Sequence, residues 1–286
     1  MKLLRLFELF EREGDSVRNW VFWDDGDHTP AFNMAADEML MQWHREGRIG
    51  PVLRFYGWNP GGFSVGYFQK TKKRFNLEEI EKRGFELVRR PTGGQAVLHH
   101  QELTYSIIVQ EDYPGIPSSV KEAYKVLSEG LLIGFDNLGI QADFAIPADS
   151  KPKGTANCFE EASWYEINVD GKKAAGSAQT RQKGIVLQHG SIPVWLNQED
   201  LLELFLYPSD RVKERAYKSF SNKAASLQEF IPPQTTMEDI RAAFYDGFQK
   251  GLGVTFERLE LDNEQLAAIE QLAKEKYQDH EFLYAR

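Results

Sequence analysis

Residues 89 to 99 read Arg89-Arg90-Pro91-Thr92-Gly93-Gly94-Gln95-Ala96-Val97-Leu98-His99. A strand-like run from Glu86 to Arg89 enters a turn with two successive glycines. Two further strand-like runs follow, Gln95 to His99 and Leu103 to Val109. Paired glycines let backbone N–H groups come close to a ligand oxygen and permit positive φ. The arginines ahead of them are charge-assisted donors suited to phosphate or carboxylate. The same pattern also describes an ordinary hairpin with surface arginines, so its meaning depends on what accompanies it.

Downstream, Asp170-Gly171-Lys172-Lys173-Ala174-Ala175-Gly176-Ser177-Ala178-Gln179 carries a second signal. Asp-Gly between strand-like runs predicts a tight hairpin. It would join a strand over residues 164 to 169 to one over 173 to 179, with another over 184 to 193. Further strands are expected at 19 to 23, 51 to 58, 63 to 68 and 255 to 261. Helices are expected after the Thr29-Pro30 start signal, over 76 to 83, after Ser118 or Ser119, and over 197 to 206, 236 to 252 and 263 to 277. The fold class is α+β: a central mixed or mostly antiparallel sheet flanked by helices. Nothing reads as an interdomain linker, so residues 1 to 286 are taken as a single catalytic domain.

Net charge is -9, which argues against a general nucleic-acid binder. The apolar start Leu3 to Phe10 is interrupted by Glu8 and lacks a small-residue cleavage site. It reads as a short amphipathic helix packed on the body, and no run approaches membrane-spanning length. A cytoplasmic, monomeric protein that engages neither membrane nor nucleic acid is the expectation.

The chain has one cysteine, Cys158. A lone thiol forms no internal disulfide and no cysteine-rich zinc site, and its rarity fits a reducing compartment. It is therefore a small hydrophobe or a nucleophile. Residues 145 to 157 are rich in turn and polar residues, as an active-site loop would be. A free thiol has a pKa of about 8.5, and a neighbouring cation favours the thiolate. Lys172 and Lys173 both lie downstream. Adjacent strand residues point to opposite faces, so only one can serve, and the residues alone leave both open.

Residues 89 to 106, with Arg54-Phe55-Tyr56-Gly57-Trp58 and Val65-Gly66-Tyr67, resemble the lipoate/biotin protein ligase superfamily. The run 170 to 179, followed by His189-Gly190-Ser191, resembles that superfamily's second signature. The resemblance covers residues 19 to 225 and leaves 226 to 286 as a mainly helical extension, expected to cap one end of the sheet. Within the superfamily the chain is most similar to the octanoyltransferases of Gram-positive bacteria. The segments that carry this are Ala31-Phe32-Asn33-Met34-Ala35, Asn157-Cys158-Phe159, Ser163-Trp164-Tyr165-Glu166 and Gly176-Ser177-Ala178-Gln179-Thr180-Arg181-Gln182-Lys183-Gly184.

The resemblance implies transfer of an octanoyl group from octanoyl-acyl carrier protein to a lysine of the glycine-cleavage H protein. It implies a covalent thioester on Cys158, no cofactor and no metal. It selects Lys173 as the motif lysine, and it implies that Arg90, Gly93, Gly94 and His99 wrap the acyl group. Gly176, Ser177 and Ala178 would let the acyl chain pass close to the backbone. Tyr56, Trp58, Val65, Val97 and Tyr105 are candidates for the acyl tunnel, though each also reads as plain core. Each buried methylene contributes about 0.8 kcal/mol, enough in sum to hold a fatty chain without ionic help. Many relatives have aspartate where this chain has His100. His189 is expected to hold a turn or strand end. Arg211, Lys213, Arg215, Lys218 and Lys223 form either a docking patch or a solvated helix face. Two alternatives share the fold: an ATP-dependent lipoate ligase, and an amidotransferase that moves octanoyl from H protein to other lipoyl domains.

Overall fold

The computed structural model of the protein describes residues 18–145 and 166–285. Cys158, the loop expected ahead of it and the amphipathic start at residues 3 to 10 lie outside the described residues. In chain order the strands are β1 Arg18–His28, β2 Val52–Trp58, β3 Gly62–Val65, β4 Glu86–Arg89, β5 Val97–His99, β6 Glu102–Gln110, β7 Asp143–Phe144, β8 Ile167–Val169, β9 Lys172–Gln182, β10 Ile185–Pro193 and β11 Val254–Arg258. The helices are α1 Pro30–Arg45, α2 Leu77–Lys82, α3 Val120–Asn137, α4 Gln198–Leu202, α5 Asp210–Lys223, α6 Met237–Leu252, α7 Asn263–Leu272 and α8 His280–Tyr284.

Among the described residues one large sheet has the order β11-β1-β2-β6-β10-β9-β8-β7, and a small one the order β4-β3-β5. β11, β1 and β2 run parallel, while the chain from β2 through β6, β10 and β9 is antiparallel. The large sheet is therefore mixed, as the sequence predicts. α3 and α6 cover one face, where Leu127, Leu131, Phe244 and Phe248 meet Phe55, Tyr105 and Val186. α1 and α7 cover part of the other, where Met34, Leu40 and Trp43 meet Val52, Ile108 and Leu187. A third cluster joins Phe63 and Val65 of the small sheet to Phe75, Phe205 and Phe220.

Local signals explain the element ends. Thr29 caps α1 by accepting from the Phe32 N–H, with Pro30 in the first turn. Ser119 caps α3. Thr236 and Asp239 form a reciprocal capping box on α6. Asp170 and Gly171 sit at φ 49° and 76°, the left-handed pair that a two-residue hairpin requires.

Several elements differ from expectation, each for a tertiary reason. The strand expected to reach Phe68 stops at Val65, because the carbonyls of Gly66, Tyr67 and Gln69 turn in to the Arg89 guanidinium. The strand expected from Gln95 starts at Val97, because Arg90 holds the Gln95 carbonyl. The helix expected over 197 to 206 is only α4, since Phe205 leaves it to pair with Phe75. α7 ends at Leu272 and gives way to a wider turn over Ala273–Tyr277. The C-terminal segment is more than a helical cap. β11 forms the outer edge of the large sheet, α6 fills its core, and the Phe282 and Leu283 carbonyls accept from Arg89.

Candidate active site

Lys173 reaches its position through an irregularity in β9. Across the hairpin Val169 pairs with Lys172 and Asn168 with Lys173, but Ile167 pairs with Ala175. Ala174 is the extra residue of a β-bulge. Normal alternation would put positions 173 and 176 on opposite faces. The bulge brings them together: a Cβ built on Gly176 would lie 2.7 Å from Lys173 Cε and 3.0 Å from its Nζ. The ammonium ends 2.7 Å from Glu166 Oε1, with side-chain exposures of 27% and 10%. Lys172 points elsewhere, to Glu229 at 3.1 Å. The Lys173 carbonyl accepts from the Ala225 N–H at 2.9 Å, which ties the segment after α5 to this strand.

The strand register extends the same face. Gly176 lies opposite Ser191 and Ala178 opposite His189 on β10. His189 and Ser191 lie opposite Ser106 and Thr104 on β6, and these lie opposite Arg54 and Tyr56 on β2. Ser177 faces the other way, where its hydroxyl meets the Tyr105 hydroxyl at 2.7 Å and its carbonyl accepts from Tyr124. Of the three small residues, Gly176 and Ala178 share the lysine's face and Ser177 packs beneath α3.

The glycine turn sits over His189. Thr92 Oγ1 is 2.7 Å from His189 Nε2, and His189 Nδ1 is 3.3 Å from Asp37 Oδ2. The ionised Asp37 can only accept, so the imidazole carries its proton on Nδ1 and its Nε2 accepts from the Thr92 hydroxyl, whose oxygen also accepts from Arg90 Nε at 3.1 Å. Burial lowers the His189 pKa despite the Asp37 carboxylate, which keeps the ring neutral. Burial alone would raise Asp37, but the His189 hydrogen bond, Arg54 and Ser106 outweigh it and hold the carboxyl below its usual range. Arg54, fully buried, donates to Asp37 at 3.0 Å and to Asp25 at 2.9 Å and stacks 4.0 Å from the Tyr56 ring. His189 thus acts as a strut between the buried ion pair and the turn.

Arg90 is buried and spends its donors inward. It reaches the Gly93 carbonyl at 2.8 Å, the Gln95 carbonyl at 2.7 Å and Ser64 Oγ at 3.1 Å. It shapes the glycine turn from within, where the motif alone had it offering charge to a ligand. Gly94 takes φ 95°, and its carbonyl would lie 2.1 Å from a Cβ built on Gly66, so the turn and the end of β3 are in direct backbone contact. His99 is stacked on Trp58 at 4.2 Å and 8°. Its Nδ1 faces Glu102 Oε1 at 2.7 Å and its Nε2 the Ser64 hydroxyl at 2.8 Å. Burial alone would raise Glu102; His99 and the hydroxyls of Thr104 and Ser191 outweigh it and lower its pKa.

The predicted residues thus fall into two groups. Gly93, Gly94, Gly176, Ala178 and Lys173 lie around one strip of the sheet, with half-buried Val97 on the β5 edge beside Ser64. Arg90, His99, Tyr56 and Trp58 stand behind that strip as buried support, and Tyr105 and Ser177 belong to the opposite face. Cys158 lies outside the described residues. Glu166, Thr92 and Asp37 were not singled out from the sequence. Among the described residues, no group of three His, Cys, Asp or Glu side chains is placed to hold a metal ion, and no helix is long and apolar enough to cross a membrane.

The family model described as the lipoyl protein ligase A/B catalytic domain matches residues 29–249. The octanoyltransferase LipM of Bacillus subtilis is 52% identical over 93% of this chain and 98% of its own length. That of Anoxybacillus flavithermus is 51% identical over the same shares. Among solved structures, a bipartite lipoate protein ligase from Thermoplasma acidophilum superposes with a TM-score of 0.79 at 21% identity, covering 94% of this chain and 98% of that one. A lipoate-protein ligase A bound with ATP gives 0.73 at 22% identity, covering 94% and 99%. At those identities the solved structures speak for the fold. The chain belongs to the lipoyl protein ligase A/B catalytic domain family and, within it, to the LipM octanoyltransferases, which are acyltransferases.

Proposed function

We propose that the chain takes an octanoyl group from octanoyl-acyl carrier protein onto Cys158 as a thioester and passes it to a lysine of the glycine-cleavage H protein, a step in making lipoyl groups. The observation that carries this reading is the Lys173 ammonium. It is held 2.7 Å from Glu166 and laid over Gly176 on the strip beneath the glycine turn. Cys158 lies eight residues before Glu166 in the chain, and the reading requires it to come alongside that ammonium.

In the first half-reaction the Cys158 thiolate attacks the carbonyl carbon of the carrier thioester. The carrier's C–S bond breaks, and its thiolate leaves and takes up a proton. A thioester is exchanged for a thioester, so the step is close to isoenergetic. In the second, the neutral amine of the acceptor lysine attacks the enzyme's carbonyl. The amide forms, the C–S bond to Cys158 breaks, and the amine's surplus proton passes to the Cys158 sulfur or the medium through Lys173. An amide is more stable than a thioester, so this step runs downhill without ATP. Dividing the reaction lets two protein partners use one site in turn. Lys173 favours the thiolate by its charge, and Glu166 fixes the direction in which that charge points. Turn N–H groups at Gly93 and Gly94 are candidate partners for the developing oxyanion.

The test is incubation with octanoyl-acyl carrier protein in the absence of ATP, followed by intact mass. The reading predicts a gain of one octanoyl group, lost in Cys158→Ser and discharged by H protein. Loading that requires octanoate and ATP would favour a ligase, and loading only from octanoylated H protein an amidotransferase.

A further inference from the structure

The chain is acidic overall, yet one edge of it is not. Residues 66 to 76 and 204 to 225 together hold nine basic side chains and two acidic ones. The fold joins these segments. Leu206 N–H donates to the Arg74 carbonyl at 2.9 Å, Asn76 N–H donates to the Leu204 carbonyl at 2.9 Å, and Phe75 bridges Phe205. Lys70, Lys72, Lys73 and Arg74 are exposed on the first segment. On α5, Arg211, Arg215 and Lys218 are exposed at i, i+4 and i+7, the line opposite the buried Ala216 and Phe220. Asp210 and Glu214 flank that line, and Lys213 is engaged with Glu203 at 2.7 Å.

Both ends of this edge adjoin the site. At one end Phe68 is 70% exposed, and its ring carbon Cδ2 lies 3.9 Å from a Cβ built on Gly93 in the glycine turn. At the other, the residues after α5 join the lysine strand through the Lys173–Ala224 bridge and the Ala225 hydrogen bond. Exposed apolar side chains are interleaved with the cations: Phe68, Leu206 at 50% and Val212 at 37%. The rim thus runs from beside the glycine turn to beside the lysine strand.

We propose that this basic rim docks the acyl donor, an acidic carrier protein, by charge complementarity. The identity of the donor rests on the reading given under Proposed function; the surface does not. Acidic surfaces are common to donor and acceptor carriers; what separates the two is the group each brings to the site. The donor brings acidic side chains and a phosphodiester in its prosthetic arm, both attracted to the cations. The acceptor brings a lysine that arrives as an ammonium, and a row of positive charge at the entrance repels it until its proton is lost. Such complementarity acts mainly on encounter rate and orientation and weakens as salt shortens the screening length.

The test measures binding without chemistry. Holo-acyl carrier protein, with no acyl group, is titrated against the full-length enzyme, the Lys73→Glu/Arg215→Glu variant, and Lys274→Glu as an exposed charge reversal outside both segments. The expected result is that the double variant binds about tenfold or more weakly and loses most of the salt dependence, while Lys274→Glu matches the parent. Loading of the double variant from octanoyl-pantetheine, a donor without a protein, is expected within about twofold of the parent. Equal binding by parent and double variant would overturn the proposal, as would no binding by the parent. So would a parallel titration with H protein in which the double variant is weakened for H protein alone, which would assign the rim to the acceptor. Failure of Cys158 to acylate from any donor would count against the thioester reading and leave the binding result to stand or fall by itself.

Discussion

Lys173 lies across the bare face of Gly176, three residues on, because Ala174 is squeezed out of the pairing between β8 and β9. A strand without that bulge would send the ammonium to the opposite side of the sheet. The space the lysine occupies is the space a side chain at 176 would take.

Gly176→Ala is therefore expected to displace the lysine while leaving the fold in place. A built Cβ would come 2.7 Å from Cε, closer than the chain tolerates, and the Lys173 side chain would have to move by a few tenths of an ångström or swing away. Displacement of a reacting group by about 1 Å costs about a hundredfold in rate, so octanoyl transfer should fall by roughly ten- to a hundredfold. Thermal unfolding should stay near that of the parent. Full activity in Gly176→Ala would show that the lysine's path over the glycine is immaterial.

Asp37→Ala should damage the fold first. It leaves the Arg54 guanidinium, fully buried, with Asp25 as its one carboxylate partner, and it removes the acceptor of His189 and Ser106. Breaking one side of a buried ion pair typically costs about 3–5 kcal/mol. Urea unfolding should report a loss of that order. A loss under about 1 kcal/mol would mean that the network contributes little.

His189 predicts a pH dependence of stability. Its pKa in the folded protein is lowered from the ordinary 6.5, so below that value the unfolded chain binds the proton the folded chain refuses. Stability is then full above the unfolded value and falls as pH drops below it, with a slope of at most about 1.4 kcal/mol per pH unit. The lowered pKa values of Asp37 and Glu102 act in the same sense at lower pH, where stability is lost as pH falls through their depressed folded values. His189→Gln should flatten the urea midpoint between pH 7 and pH 5 and leave the steeper acid limb. An unchanged slope would show that the proton is not excluded from His189.

Much of this was legible in the residues. Asp170-Gly171 announced the hairpin, Thr29-Pro30 and Thr236 the helix starts, and the paired glycines the turn. The choice of Lys173 over Lys172 was open in the residues alone and came from the resemblance, because the bulge that orients Lys173 leaves no mark in Ala174-Ala175. The signal for Glu166 was present. Once the hairpin register pairs Asn168 with Lys173, a carboxylate two residues earlier falls on the same side of its strand. Arg90 is ambiguous in the sequence for a physical reason. An arginine that offers five donors to a ligand and one that spends them on backbone carbonyls have the same local sequence, and only the fold shows the Gly93 and Gln95 carbonyls turned toward it. Asp37 was out of reach similarly, since its partners Arg54, Ser106 and His189 come from strands distant in sequence.

The most direct test uses the fact that the chain contains a single cysteine. The rate of alkylation of that thiol by iodoacetamide is followed against pH in the parent, in Lys173→Gln and in Lys172→Gln. The account predicts an apparent thiol pKa clearly below the free value of about 8.5 in the parent and in Lys172→Gln, and a return toward that value in Lys173→Gln. A thiol that titrates identically in the parent and Lys173→Gln, or that fails to react until the protein is unfolded, would contradict it.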